Sequence, residues 1–287
     1  MANTDLSDIM KDDERNDPMI IDTGIILKPI GYVRSPLASL DDYLPPGRPA
    51  WIDIRPEYHE ALERIGENSH LWVLLWFHKS DRRLLKTVPR RFNPDIPEYG
   101  VFGLRSPNRP NPIALTLVRL EVVQGNSLRV IGLDAVDGTP VVDIKSYYDQ
   151  DIVFSPQTPY IRAHDEAMRR NHFYKLALNH HQEACPELLL AVRMIMIADH
   201  YMGHINRPDL LVSVQGPPCL ADTIQGLSRA RLANPARFAF TASDRLPASI
   251  WTDRDRVLKI TALQDLDDDG YLTLSDDDLF DVEYTSA

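Results

Sequence analysis

Cysteine is almost absent: Cys185 and Cys219 are the only two in 287 residues. That excludes a secreted disulfide scaffold. Long apolar runs are missing too, since no stretch approaches the ~18 uncharged apolar residues that a membrane-spanning helix needs, and no membrane partner is expected. The opening stretch, MANTDLSDIMKDDERNDP, shows no basic-then-apolar leader, so the expectation is a cytoplasmic protein. Positive charge is short at both ends. Residues 265–287 hold nine acidic side chains and no Lys or Arg, and residues 1–17 hold six acidic against two basic. The net charge of −11 thus sits at the termini and leaves the stretch between them at +2. A nucleic-acid substrate is not excluded, because local charge sets phosphate attraction.

What remains is a globular composition, 44% hydrophobic and 25% charged, which suits one large or two modest domains and not a disordered chain. Residues 1–18 read as a disordered acidic N-terminus. From there to 157 the chain is written in short apolar runs broken by Pro and Gly: IGYV (30–33), WIDI (51–54), WVLLWF (72–77), GVFGL (100–104), IALTLVRLEVV (113–123), LRVIGLDAV (128–136) and VVDI (141–144). QGN (124–126) marks a hairpin, and PEYHEALERI predicts one helix with Tyr58, Ala61, Leu62 and Ile65 on a face. Many short strands with little helix predict a mostly β first domain, an antiparallel β-barrel over 19–157. Residues 158–287 change grammar to α+β. Helices are predicted over 165–178 and 186–202, the second with Pro186 in its first turn, and another over 219–230. LLVSVQ (210–215), RFAFTA and RVLKITAL read as strands before an acidic tail.

Chemistry-bearing residues concentrate in a few places. RSPNRPNPI packs three prolines into nine residues, so it is a rigid loop carrying Arg105, Asn108, Arg109 and Asn111. Two guanidiniums and two amides held at fixed backbone angles suit a carboxylate, a phosphate or a nucleobase. In DAVDGT, Asp134 and Asp137 offer carboxylates and Gly138 permits close backbone approach, although Asp-Gly also closes hairpins. His78 and Lys79 end an apolar strand. KSDRRLLKTVPRRF is the densest basic run, with Lys79, Arg82, Arg83, Lys86, Arg90 and Arg91 available to phosphate. DLDDDGYLTLSD (265–276) places Asp265, Asp267, Asp269, Gly270 and Asp276 at calcium-loop positions, but no helix is predicted to enter it, and a hairpin turn is the plainer reading.

Four blocks in order, PIGYVRSP (29–36), NSHLWVLLWFHKS (68–80), GVFGLRSPNRPNPIALTLVRL (100–120) and LDAVDGTPVVDIKSY (133–147), closely resemble the TsaA-like family. That resemblance implies a homodimeric enzyme that uses S-adenosyl-L-methionine (SAM) to methylate N6-threonylcarbamoyladenosine beside the anticodon of tRNA. It carries SAM contacts onto His78, Lys79, Arg105, Thr116, Leu117, Asp134, Ala135, Val136, Asp137 and Gly138, and onto Pro45, Pro46 and Gly47. The last three sit in LPPGRPA (44–50), which lacks the family's Gln; Ala114 also stands where the family has Gly. Asn108, Arg109, Asn111, Arg82, Arg83 and Lys145 are the candidate acceptor-binding residues. Asp137, Asp143 and His78 are the candidate proton acceptors, and nothing in the sequence chooses among them.

HHQEACPELLLAVRMIMIA (180–198), followed by VQGPPCLADTIQGL (214–227), resembles the FmdE-like family, which carries a metal on a His-Gly-His-x-Cys-Pro run and a later Cys. The matching residues are His181, Cys185 and Cys219, with Glu183 in place of the second His; this implies a zinc-like ion. Cys185 precedes Pro186 at a helix start, where the helix dipole is expected to favour the thiolate. The leading reading is a SAM-dependent tRNA methyltransferase with an appended metal domain. The alternatives are the same chemistry on a small molecule or metal-cofactor precursor, and a SAM- or metal-sensing accessory protein without turnover.

Overall fold

The structure is a computed structural model that describes residues 26–37, 49–90, 92–264 and 268–286. Pro45, Pro46 and Gly47, Arg91, Asp265 and Asp267, and the predicted disordered N-terminus therefore lie outside the described residues.

Six strands, β1 (Gly31–Arg34), β2 (Pro49–Ile54), β3 (His70–Trp76), β6 (Ile113–Gln124), β7 (Ser127–Ile131) and β8 (Pro140–Ser146), close in the order β1-β2-β7-β6-β3-β8. All pairings are antiparallel. Alternation decides which face turns in: Ala50, Ile52 and Ile54, then Leu71, Val73 and Leu75, then Leu128 and Val130 are all buried. Each fully buried aliphatic side chain contributes about 1.5–3 kcal/mol, so the inward rows hold the barrel closed. Two expectations are corrected. PEYHEALERI forms 3₁₀ turns (Pro56–Leu62 and Ile65–Glu67) rather than an α-helix, with Tyr58, Leu62 and Ile65 half-buried against the barrel and Ala61 exposed. GVFGL is no strand: only Tyr99–Gly100 (β5) pairs, with Lys86–Thr87 (β4), before a 3₁₀ turn over Val101–Gly103.

A second sheet has the order β10-β9-β11-β12-β13, formed by Phe238–Ala242, Leu211–Gly216, Ala248–Thr252, Arg256–Ala262 and Phe280–Ser286. Only β9 and β10 run parallel. Three helices pack with it around one buried cluster: α1 (Glu166–His181), α2 (Pro186–Met202) and α3 (Pro218–Ser228). Asp165 caps α1 by accepting from the Met168 N–H at 2.7 Å, and Pro186 starts α2 as expected. Trp251 is fully buried, and its indole N–H donates to Ser249 Oγ at 3.0 Å, which avoids an unsatisfied donor.

The acidic end is folded, not a tail. Gly270 lies inside a short helix, α4 (Asp268–Thr273), and Asp276 opens α5 (Asp276–Leu279). Buried Arg193 of α2 donates to the Tyr271 and Leu274 carbonyls, at 2.8 and 3.0 Å, and to Asp276 Oδ1 at 2.5 Å. A buried guanidinium without such partners would cost several kcal/mol, so Arg193 claims the carboxylate that a calcium loop would need. Both the calcium loop and the hairpin turn are thereby corrected.

The chain gathers into two compact units. One holds β1 with Pro49–His78 and Ile113–Ser146; the other holds Lys79–Pro112 and Tyr147–Ala287. Among the described residues, no helix is long and apolar enough to cross a membrane.

Candidate functional site

In the barrel unit the segment 132–139 leaves β7 and is tied to the end of β1. The Asp137 N–H donates to the Leu37 carbonyl and the Gly138 N–H to the Val33 carbonyl, both at 2.8 Å. Gly138 has φ +72°, a value that disfavours residues with a side chain, so the glycine sets this turn. Asp137 Oδ1 accepts from the Ser35 N–H at 3.0 Å, and the buried Thr139 hydroxyl donates to the Val136 carbonyl at 2.7 Å. One Asp137 oxygen therefore serves the turn itself. Ala135 and Val136 are buried, while Asp134 and Gly138 are exposed. On β6, Thr116 and Leu117 point to opposite faces; Thr116 is half-buried and Leu117 is 38% exposed. Asp143 accepts from its neighbour's Ile144 N–H and pairs with Lys145 at 2.7 Å, so those two candidates engage each other. His78 is exposed beyond the end of β3, without a partner among the described residues.

The proline-rich loop belongs to the other unit, and much of its chemistry is turned inward. The half-buried Arg109 guanidinium donates to the carbonyls of Ser106 (2.9 Å), Val101 (2.5 Å) and Leu104. Asn108 Oδ1 accepts from the Asp81 N–H at 2.9 Å, and Arg82 Nε donates to the Pro110 carbonyl at 3.0 Å. Arg83 grips Asp81 through two bonds and holds its carboxyl down to about 2. Arg109 and Arg82 thus supply donors to loop carbonyls that prolines do not, and Asn108 accepts a backbone N–H, whereas Arg83 stays exposed on its Asp81 pair. Arg105 and Asn111 are left exposed, and so are Lys79 and Arg90 of the basic run.

The third cluster lies where α1 ends and α2 and α3 begin. His181 is the last residue of α1, Cys185 caps α2 and Cys219 lies in the first turn of α3. One ligand atom of each lies within 4.8 Å of the others, and Cys185 Sγ is 3.5 Å from His181 Nε2. Tetrahedral zinc with bonds of about 2.0–2.3 Å separates its ligands by roughly 3.5–3.8 Å, so the set fits a soft metal with little movement. Asp222, one turn after Cys219, binds His181 Nδ1 at 2.7 Å and lies 3.3 Å from His180 Nε2. A carboxylate on one ring nitrogen orients the other toward the thiols, the usual support of a metal-bound histidine. A Cβ on Gly226, one turn further along α3, would lie 2.1 Å from the His180 ring, so only glycine admits α1 this close. The sequence reading missed Asp222, His180 and Gly226; their signal was the helical spacing Cys219-x-x-Asp222-x-x-x-Gly226.

Two expectations fail here. Glu183 is exposed and outside the ligand group. The Cys185 thiol is pushed up to about 11, chiefly by burial and further by Glu187 and Cys219, which outweigh the bond from the Leu188 N–H.

Residues 42–151 match the family described as the tRNA-methyltransferase O N-terminal domain. A probable S-adenosyl-L-methionine-binding protein of Archaeoglobus fulgidus is 36% identical over 221 residues, covering 72% of this chain and 59% of its own length. A protein of the same description from Methanothermobacter thermautotrophicus is 44% identical over 132 residues, covering 45% of this chain and 93% of its own. A tRNA (adenine(37)-N6)-methyltransferase of Mus musculus is 38% identical over 141 residues, covering 48% of this chain and 30% of its own. The chain thus spans about three fifths of the Archaeoglobus relative, whose match is also longer than the barrel region alone.

Proposed function

Because the chain belongs to the tRNA-methyltransferase O N-terminal domain family of SAM-dependent methyltransferases, we propose that it methylates N6 of the threonylcarbamoyladenosine beside the anticodon of a tRNA. The observation that carries this reading is the family match over residues 42–151, which spans five of the six barrel strands, the proline-rich loop and the 134–138 turn. When bound, SAM supplies a methyl group on an electrophilic sulfonium. The chain's residues must bind it, align the acceptor nitrogen in line and take the proton that nitrogen gives up. In our reading Asp134, Asp137 and Arg105 hold SAM, with backbone groups of Thr116, Leu117, Ala135, Val136 and Gly138. His78 takes the proton, since Asp137 serves its turn and Asp143 is held by Lys145. Incubation of the protein and SAM with tRNA lacking this methylation, followed by mass spectrometry of the nucleosides, tests it. No added methyl on any tRNA nucleoside would reject it.

One observation favours a second reading, a small-molecule acceptor: Arg82, Arg83 and Lys86 of the basic run are engaged by Pro110, Asp81 and Glu98. Binding of tRNA that is absent, or insensitive to salt, would favour that reading, because phosphate contacts release counterions.

We further propose that residues 19–157 act as the SAM-binding domain, residues 158–287 as an FmdE-like domain, and the whole as a cytoplasmic homodimer. His181, Cys185 and Cys219 would hold one zinc-like ion, which would supply a Lewis-acid centre where three helix ends meet. Elemental analysis of protein purified without chelator should find near-stoichiometric metal that is lost in Cys185→Ser.

A further inference from the structure

The segment 79–112 exposes an unusual set of large apolar side chains: Phe102 is 81% exposed, Leu85 66% and Phe92 50%. Phe102 stands out because its backbone is fixed. It sits in the middle of the 3₁₀ turn Val101–Gly103, next to Val101, whose side chain is 1% exposed and anchors the turn. The carbonyls of Val101 and Leu104, on either side of Phe102, are both bound by the Arg109 guanidinium. The Val101 N–H donates to the Leu85 carbonyl at 3.0 Å, which fixes the turn to the β4–β5 ribbon. The ring is therefore held out into water by a rigid frame, not left on a loose loop. The same segment carries the exposed cations Lys79, Arg90 and Arg105, which have no side-chain partner among the described residues, and Arg105 follows Phe102 by three positions.

An exposed aromatic ring among cations is how proteins hold unpaired nucleotides: the ring stacks on a base while the cations meet phosphates. We propose that Phe102 is the platform on which an unpaired base of the anticodon loop stacks when the RNA acceptor docks. This rests on the tRNA reading above. Phe102 acts by positioning the acceptor and takes no part in the transfer, in which the N–CH₃ bond forms as the S–CH₃ bond breaks.

The test measures binding of an anticodon stem-loop RNA by fluorescence anisotropy, alongside methyl transfer to whole tRNA, for the wild type and for Phe102→Ala, Phe102→Leu and Phe102→Trp. Loss of one stacked base weakens RNA binding about 5- to 150-fold, equivalent to about 1–3 kcal/mol. Phe102→Ala should weaken the stem-loop by such a factor and raise KM for tRNA, with SAM affinity and thermal unfolding unchanged. Leucine, which keeps bulk but lacks a flat ring, should behave like alanine, and tryptophan like the wild type. Equal RNA binding by Phe102→Ala and wild type, or full function in Phe102→Leu, overturns the proposal. So does a change of oligomeric mass in Phe102→Ala with RNA affinity intact, since the ring would then lie between copies. RNA binding that depends on the ring without any methyl transfer would uphold the platform and reject the methylation reading.

Discussion

At the scale of the residue, position within a motif does not reveal which way a side chain faces. Arg109 and Arg105 stand four apart in one run, yet one binds three backbone carbonyls of its own loop and the other is exposed. Arg109→Ala should therefore act locally. Limited proteolysis should cut within 101–112, methyl transfer should fall, and the global melting temperature should barely move, because such loops open independently of the core. A protease map unchanged from wild type would mean that the guanidinium does not brace the turn. Asp222 is the opposite case, a residue with no motif and a definite task. Asp222→Asn should weaken metal binding about 10- to 100-fold in a competition against a chelator. Undiminished affinity would show that His181 needs no support from it. The rigidity of RSPNRPNPI was legible because prolines announce it. The inward turn of Arg109 and Asn108 was not, because the backbone carbonyls that Arg109 binds and the backbone N–H that Asn108 accepts from belong to no particular residue type.

At the scale of the element, α1 and α3 touch where one hydrogen atom replaces a side chain. Gly226→Ala drives a methyl group into the His180 ring at 2.1 Å and should destabilise the protein by about 1–3 kcal/mol. In a His180→Ala background the same change should cost nothing, or stabilise slightly through alanine's helix propensity, and a double-mutant cycle on thermal unfolding measures the difference. A second element-scale device is the turn between β11 and β12. Burial alone would raise the Asp253 carboxyl, but Arg256 (2.5 and 2.9 Å) and Arg207 hold it far below the usual carboxylate range. A depressed folded value contributes stability above the unfolded value of about 3.9 and loses it as pH falls through the folded one. Denaturant unfolding between pH 7 and pH 2 should show that acid loss, and Asp253→Asn should flatten it; an unchanged slope would remove Asp253 from the account. The long helices could be read from sequence to within a few residues because caps and Pro186 mark them. β13 was not read. Its alternation Phe280, Val282, Tyr284 is a strand pattern, but the dense acidic residues around it suggested a solvated tail.

At the scale of the whole molecule, the barrel's outer face remains to be explained. β6 turns Ile113, Leu115 and Leu117 outward at 40%, 47% and 38% exposure, and the register sets them opposite Trp76, Leu74 and Trp72 of β3. Contiguous apolar rows on a sheet face are characteristic of surfaces that another protein covers. The row lies on β6, the strand that follows the proline-rich loop directly, so a second copy seated there would join the two barrels beside the residues read as SAM contacts. Light scattering at micromolar concentration should then give twice the 32.7 kDa chain mass. Leu115→Glu places a charge in the middle of the row. Because Leu115 is already half exposed, the change should cost a single chain less than about 0.5 kcal/mol, whereas burying an unpaired carboxylate between copies costs far more. The variant should therefore run at the single-chain mass with its melting temperature nearly kept. A wild-type protein of single-chain mass would reject the homodimer. A Leu115→Glu protein that still runs at twice the chain mass would keep the dimer and move its interface to another face.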